Sequence, residues 1–192
     1  MSPQQVAALL GLINLIVLFG LLITASYTDV VHRKIYNWAT YPAVGIGLAL
    51  GFIAGGLGSF PWIGSPGVGL LDRVSGLLLG FTIFAVFNLA RAVGTGDVKL
   101  MAAIGALTGA HFTLWAMFWG SLVGAIMAMW ILVMRGQLMR GIGRSLLQAI
   151  RIGKDDVPED ATFDEAPEKA RMAYGVALSF GTLLAWFLNT SS

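Results

Sequence analysis

Residues 6–28, VAALLGLINLIVLFGLLITASYT, form an apolar stretch without a single charged side chain. At 1.5 Å per residue, a helix of this length measures about 35 Å, enough to cross the ~30 Å hydrocarbon core of a bilayer. No basic segment precedes it and charged residues follow it, so we interpret it as a membrane span rather than a cleaved signal peptide.

Five further apolar stretches predict an all-α, polytopic membrane protein with six transmembrane helices. They cover residues 38–56, 70–90, 98–109, 112–134 and 172–188. The stretch 98–109 would be only ~18 Å long as a helix, so it must sit recessed, thin the bilayer locally or line a cavity. Alternatively, it forms one long element with the next stretch, kinked at residues 109–111.

The composition excludes several classes of protein. Hydrophobic residues make up 57% of the 192 residues and charged residues 11%, and the mean hydropathy is +0.79. These values are incompatible with a soluble enzyme, a disordered chain or a nucleic-acid-binding domain. The chain has no cysteine, which excludes disulfides and thiolate metal sites.

The charges are concentrated in one segment, residues 135–171, which holds fourteen of the 22. We predict one membrane-embedded domain, 1–192, with this segment as a cytoplasmic loop. Its part 135–152 has the pattern of a basic amphipathic helix that binds anionic lipids, and its acidic part 154–168 is predicted to be mobile. With the N-terminus outside, eleven of the twelve Lys and Arg residues lie on the cytoplasmic side, which decides the orientation.

Three acidic residues lie outside that loop: Asp29, Asp72 and Asp97. Asp72 adjoins Arg73 at an external helix end and is interpreted as part of a solvated ion pair. Asp29 ends the first predicted helix and Asp97 begins the fourth, so topological parity places both at the cytoplasmic face. They are either two separate interfacial acids, each paired with a basic neighbour, or a functional pair.

The sequence around Asp97 favours the pair. Gly94 and Gly96 precede it, permit positive φ and close backbone approach, and place the carboxylate at a helix N-terminus. Two neighbouring carboxyl groups do not ionise independently, so one keeps a proton while the other acts as a base. Such a pair can polarise a peptide carbonyl and activate water, and it titrates as a unit.

Three segments resemble the type IV prepilin peptidase family, whose members carry a GxGD motif. Residues 94–100 (GTGDVKL) resemble that motif, and Asp29 with the following 33–37 (RKIYN) resembles the first aspartate motif. Residues 174–178 (YGVAL) resemble the Tyr-Gly segment of the last helix. The resemblance implies an aspartic endopeptidase in the bacterial inner membrane, with Asp29 and Asp97 as catalytic residues facing the cytoplasm.

The resemblance also implies a substrate, a prepilin-like protein whose basic leader is removed. The chain has no cysteine and no long insert, and in this it resembles the short TadV/CpaA-like form of the family. This resemblance implies a Flp-type precursor and puts N-methylation in doubt. We expect membrane lipids as the other partner, and no nucleic acid, cofactor or metal, since His32 and His111 lie on opposite sides of the membrane. The cleavage sequence, the substrate-binding residues and the oligomeric state are not readable.

Supporting roles fall to Gly94, Gly96, Lys99 and Asn37. Lys99 more often serves as an anchor at the interface, and Asn37 as a helix cap or hydrogen-bond partner near the pair. Two alternatives stay open: a small proton- or cation-coupled transporter that uses the same two aspartates, and a GxGD protease of presenilin type. A transporter would place its acids nearer the midplane, and the spacing Tyr27–Asp29 does not match the Tyr-Asp motif of presenilin-type enzymes.

Overall fold

The computed structural model describes residues 3–32, 34–55, 69–90, 93–134 and 174–190. These residues form helices and no strand, so the all-α prediction is confirmed for them. The predicted loop 135–171 and its two parts lie outside the described residues. The helices are α1 (Pro3–His32), α2 (Asn37–Gly55), α3 (Leu70–Leu89), α4 (Thr95–Thr108), α5 (Ala110–Met134) and α6 (Tyr174–Thr190).

Four of the described helices, α1, α2, α3 and α5, are long and apolar enough to cross a membrane. The prediction of six spans and that of an outside N-terminus remain predictions. Many large apolar side chains point outward; Ile16, Ile23 and Tyr27 on α1 are 62–68% exposed. An apolar outer surface of this kind suits a lipid environment rather than water.

The buried face of α1 follows the helical repeat. Leu18, Leu22 and Ala25 are buried at intervals of four and three residues, so they form one stripe along the helix. This stripe faces the interior, where α1 packs against α2 and α6. The same periodicity continues four residues later at Asp29, which is therefore turned inward as well.

The short helix α4 lies in the centre of the bundle. Leu100, Met101, Ile104 and Leu107 have no exposed surface, and α4 packs against α3 and α2 and also contacts α1 and α6. This helix of 14 residues is therefore surrounded by other helices of the protein. The three options that the sequence left for this stretch concern its depth in the membrane and stay predictions.

Glycines allow the helices to approach α4 closely. A Cβ at Gly47 of α2 would lie 2.5 Å from the carbonyl oxygen of Ala106, and one at Gly76 of α3 would lie 2.5 Å from that of Gly105. Any larger side chain would force these backbones apart. These two glycines thus serve helix packing within the chain.

A single residue, Gly109, separates α4 from α5. Its φ is +81°, a conformation that glycine adopts without strain. The break occurs within the segment where the alternative of one kinked element placed it, although the fourth helix begins at Thr95 rather than 98 and the fifth at Ala110 rather than 112.

The interpretation of Asp72 as a solvated residue is wrong. Its side chain is only 6% exposed, and its Oδ1 accepts a hydrogen bond of 3.1 Å from the backbone N–H of Ala110. Asp72 therefore satisfies one of the free N–H groups at the start of α5 and joins α3 to α5. Adjacency to Arg73 in sequence suggested a surface pair, whereas the fold uses the carboxylate as a helix cap.

By their contacts, the described residues up to Gly124 and those of 174–190 form one compact unit. The described residues of a second unit are 125–134, the final turns of α5. All the side chains discussed below belong to the first unit.

Candidate functional site

Asp29 lies in the last turn of α1, on its buried face. The sequence predicted a helix end at residue 28, but α1 continues to His32. The side chain of Asp29 is 8% exposed. Its Oδ2 accepts a hydrogen bond of 2.8 Å from the backbone N–H of Gly175, and the N–H of Val176 is a second donor. These donors are free because they belong to the first turn of α6.

Asp97 lies in the first turn of α4, two residues after the helix begins, and is 7% exposed. Its Oδ2 accepts a hydrogen bond of 3.0 Å from the backbone N–H of Gly94. Gly94 is the N-cap residue with φ −77°, so the positive φ that glycine permits is not used here. Asp97 is thus an acid at the N-terminus of a helix, as predicted, and it caps its own helix.

Asp29 and Asp97 are electrostatic neighbours. Burial raises the pKa of the Asp97 carboxyl to about 6; the hydrogen bond from Gly94 lowers this pKa, and the charge of Asp29 raises it. Asp97 belongs to α4, which is not one of the four long apolar helices. The charge of Asp29 thus acts on the Asp97 carboxyl group, so the two groups form one electrostatic cluster. That this cluster lies at the cytoplasmic face stays a prediction.

Ile35 connects the two halves of this cluster. It lies in the short connection between α1 and α2, and its side chain is half-buried. A Cβ at Gly96 would lie 3.1 Å from Ile35 Cβ, and a Cβ at Gly175 would lie 3.1 Å from Ile35 Cδ1. The side chain thus spans the distance between the first turn of α4 and the first turn of α6.

Two of the predicted supporting residues, Lys99 and Asn37, bind to each other. Lys99 Nζ donates a hydrogen bond of 2.8 Å to Asn37 Oδ1, and this contact is exposed. It joins the start of α2 to the first turns of α4. Gly96 accommodates the side chain of Ile35, so its value lies in close approach rather than in an unusual backbone conformation.

Three residues of the cluster had no role assigned from the sequence. Gly175 and Val176 hold Asp29 through their backbone. Tyr174 fixes that turn against α5: its side chain hydrogen-bonds with Ser121, and a Cβ at Gly124 would lie 2.7 Å from its ring. The segment 174–178 was singled out as a motif, and a glycine at the start of the last helix was the available signal. Backbone N–H donors, however, cannot be recognised from a sequence, because every residue except proline has one.

The chemistry available to the cluster is that of carboxyl groups. Among the described residues, no three His, Asp or Glu side chains come together as a metal site would require. The two carboxyl groups have different surroundings, because Asp29 accepts two backbone N–H bonds and Asp97 accepts one. Different surroundings are what allow one carboxyl group to act as an acid and its neighbour as a base.

Comparison with known proteins gives one match. The model of the type IV leader peptidase family matches residues 16–129, a range that includes both Asp29 and Asp97 and more than half of the chain. No curated protein and no solved structure matched. Together with this match, the four long apolar helices indicate a multi-pass membrane protein. From this match, the chain belongs to the type IV leader peptidase family.

Proposed function

We propose that the protein is a membrane-embedded aspartic endopeptidase that removes the basic leader of prepilin-like precursors at the cytoplasmic face of the bacterial inner membrane. The observation that carries the proposal is the cluster of Asp29 and Asp97, both buried and both inside the range matched by the family model. The short TadV/CpaA-like resemblance favours a Flp-type precursor and leader removal without methylation.

In the proposed reaction, a water molecule attacks the carbonyl carbon of the scissile peptide bond. Asp29, held by two backbone N–H groups, takes a proton from this water. Asp97, whose pKa is raised by burial, gives its proton to the carbonyl oxygen. The tetrahedral intermediate then collapses: the C–N bond breaks, the proton on Asp29 passes to the leaving amine, and Asp97 takes back a proton from one hydroxyl of the intermediate, which becomes the new carboxyl group.

The hydrogen bonds at Asp29 also orient its carboxylate. Two backbone N–H groups of α6 hold this carboxylate in place. Fixing the base before the substrate arrives reduces the reorganisation that the reaction itself requires. This arrangement supports a hydrolytic role for Asp29, and no observation here favours the transporter alternative.

The test replaces each aspartate by its isostere, Asp29→Asn and Asp97→Asn, and follows precursor cleavage in membranes that contain equal amounts of each variant. Asp72→Asn is the matched control: Asp72 is equally buried and also accepts a backbone N–H. Asp72 caps α5 at the C-terminal end of α4, whereas Asp97 lies at the N-terminal end of α4. A helix of 14 residues is roughly 20 Å long, so the control residue lies far from the pair.

We expect cleavage to be lost in both Asn variants of the pair and retained in Asp72→Asn. Substantial cleavage by either variant of the pair would falsify the paired mechanism. Loss of proton-coupled solute uptake in both variants, with precursor cleavage absent even from the unmodified protein, would instead favour the transporter.

A further inference from the structure

Ser179 lies in the second turn of α6, and its side chain is only 3% exposed. Its hydroxyl group donates a hydrogen bond of 2.8 Å to the carbonyl oxygen of Gly175 in the same helix. The same hydroxyl makes a longer contact of 3.4 Å with the carbonyl oxygen of Leu22 in α1. Ser179 therefore joins the first turn of α6 to α1, the helix that carries Asp29.

A hydroxyl group that bonds back to its own helix is common in apolar helices, and Thr182 of α6 does so too. What distinguishes Ser179 is the peptide group that it binds. The carbonyl of Gly175 and the N–H of Val176 belong to one peptide group, and this N–H is one of the two backbone donors to Asp29. The hydroxyl, the peptide group and the carboxyl group thus form a chain of two hydrogen bonds.

This chain acts on the carboxyl group of Asp29 in two ways. A hydrogen bond to a carbonyl oxygen polarises the amide, so the N–H of the same peptide group becomes a stronger donor. The contact with Leu22 holds the first turn of α6 against α1, and with it the N–H of Gly175, which lies 2.8 Å from Asp29 Oδ2. Both effects stabilise an ionised and oriented carboxylate, which is what the base of the proposed reaction requires.

We propose that Ser179 is a positioning residue for Asp29 that acts through the peptide group between Gly175 and Val176, without touching the substrate. This inference rests on the proposed endopeptidase function and adds to the site a hydroxyl group outside the segment 174–178 that the sequence singled out. Removing this hydroxyl leaves both aspartates in the protein and weakens only the donors that hold Asp29.

The experiment measures kcat/KM for precursor cleavage as a function of pH, with the full chain in lipid and a thermal unfolding curve for each variant. Ser179→Ala removes only the hydroxyl oxygen, and Ser179→Cys replaces it by a thiol, which is a weaker donor. The matched control is Thr182→Val. Thr182 is 1% exposed, and its hydroxyl binds the carbonyl of Leu178, beyond the first turn of α6 that holds Asp29.

We expect Ser179→Ala to lower kcat/KM by roughly 3- to 10-fold, the effect of one hydrogen bond between uncharged groups. The loss should grow toward acid pH, because a carboxylate with weaker hydrogen-bond donors takes up a proton more readily. Ser179→Cys should lose less than Ser179→Ala, and Thr182→Val should match the unmodified protein throughout. These variants leave unchanged the titratable groups around the pair, Asp97 and Lys99 of α4 and Tyr174 of α6.

A Ser179→Ala variant that matches the unmodified protein over the whole pH range overturns the inference. A loss by the same factor at every pH also overturns it, because that is the effect of fewer folded molecules. So does an equal loss in Thr182→Val. If Ser179→Ala does not fold, Ser179→Cys decides the question in the same way. An unmodified protein that cleaves no precursor refutes the proposed function itself, an outcome distinct from all of these.

Discussion

Replacing Gly175 by alanine should reduce the rate of cleavage by roughly 10- to 100-fold without unfolding the protein. The new methyl group would lie 2.8 Å from Asp29 Oδ2, where ordinary contacts begin at 3.4 Å, so the carboxyl group or the first turn of α6 has to shift by about 0.6 Å. A misplacement of about 1 Å in a catalytic group costs on the order of 100-fold in rate. A hydrogen bond to a charged group contributes about 1.5–3 kcal/mol. Loss of this energy in the transition state also corresponds to a rate reduction of roughly 10- to 100-fold.

The assay is single-turnover cleavage of a precursor by the purified protein in lipid, with a thermal unfolding curve for each variant. The matched control is Gly45→Ala in α2, where an added Cβ meets nothing within 4 Å. Alanine is favoured over glycine within helices by about 0.5–1 kcal/mol, so neither variant should lose stability through helix propensity. Gly175→Ala with more than half of the original rate, or Gly45→Ala with the same loss, would refute the reasoning.

Three further outcomes are expected. Asp72→Ala should lower the free energy of unfolding by about 1–3 kcal/mol, because a buried N–H of α5 loses its acceptor. Asp72→Asn keeps an oxygen at this place and should be less destabilised. Chemical denaturation in detergent compares the two variants, and equal losses would contradict the role of Asp72 as the cap of α5. Gly105→Ala should destabilise by about 1–3 kcal/mol or abolish folding, because α4 contacts Gly76 of α3 through backbone at this point, with Gly45→Ala again as the control. The reaction needs a protonated Asp97, whose pKa in the free protein is raised to about 6. We therefore expect kcat/KM to fall as the pH rises through about 6, and a rise over that range would contradict the assignment.

The helical class, and the electrostatic proximity of Asp29 to Asp97, could be predicted because they depend on features that a sequence displays directly. Long apolar stretches identify membrane-spanning helices through their length. An acid after the first stretch and another before the fourth fall at the same end of a bundle by counting alone. The match to the leader peptidase family confirms the family to which the quoted motifs pointed.

The misjudged details depend on tertiary partners that sequence neighbours do not reveal. Asp72 was interpreted from the adjacent Arg73, whereas its hydrogen-bond partner is Ala110, 38 residues away. The first apolar stretch stops at residue 28, just before Asp29, but Asp29 finds a donor 146 residues later, at Gly175, and the helix continues past it to His32. From sequence alone, a polar residue after an apolar stretch is easily taken for the end of a helix, because its hydrogen-bond partners are not known.

The hydrogen bonds between Asp29 and the start of α6 have a consequence for biogenesis. A ribosome that adds about 5–20 residues per second needs roughly 7 to 30 s to proceed from Asp29 to Gly175. Throughout that interval the emerging polypeptide carries a carboxyl group whose backbone donors have not been synthesised. We therefore expect a nascent chain to be inert toward neighbouring proteins, and to gain hydrolytic competence only when residues 174–176 dock.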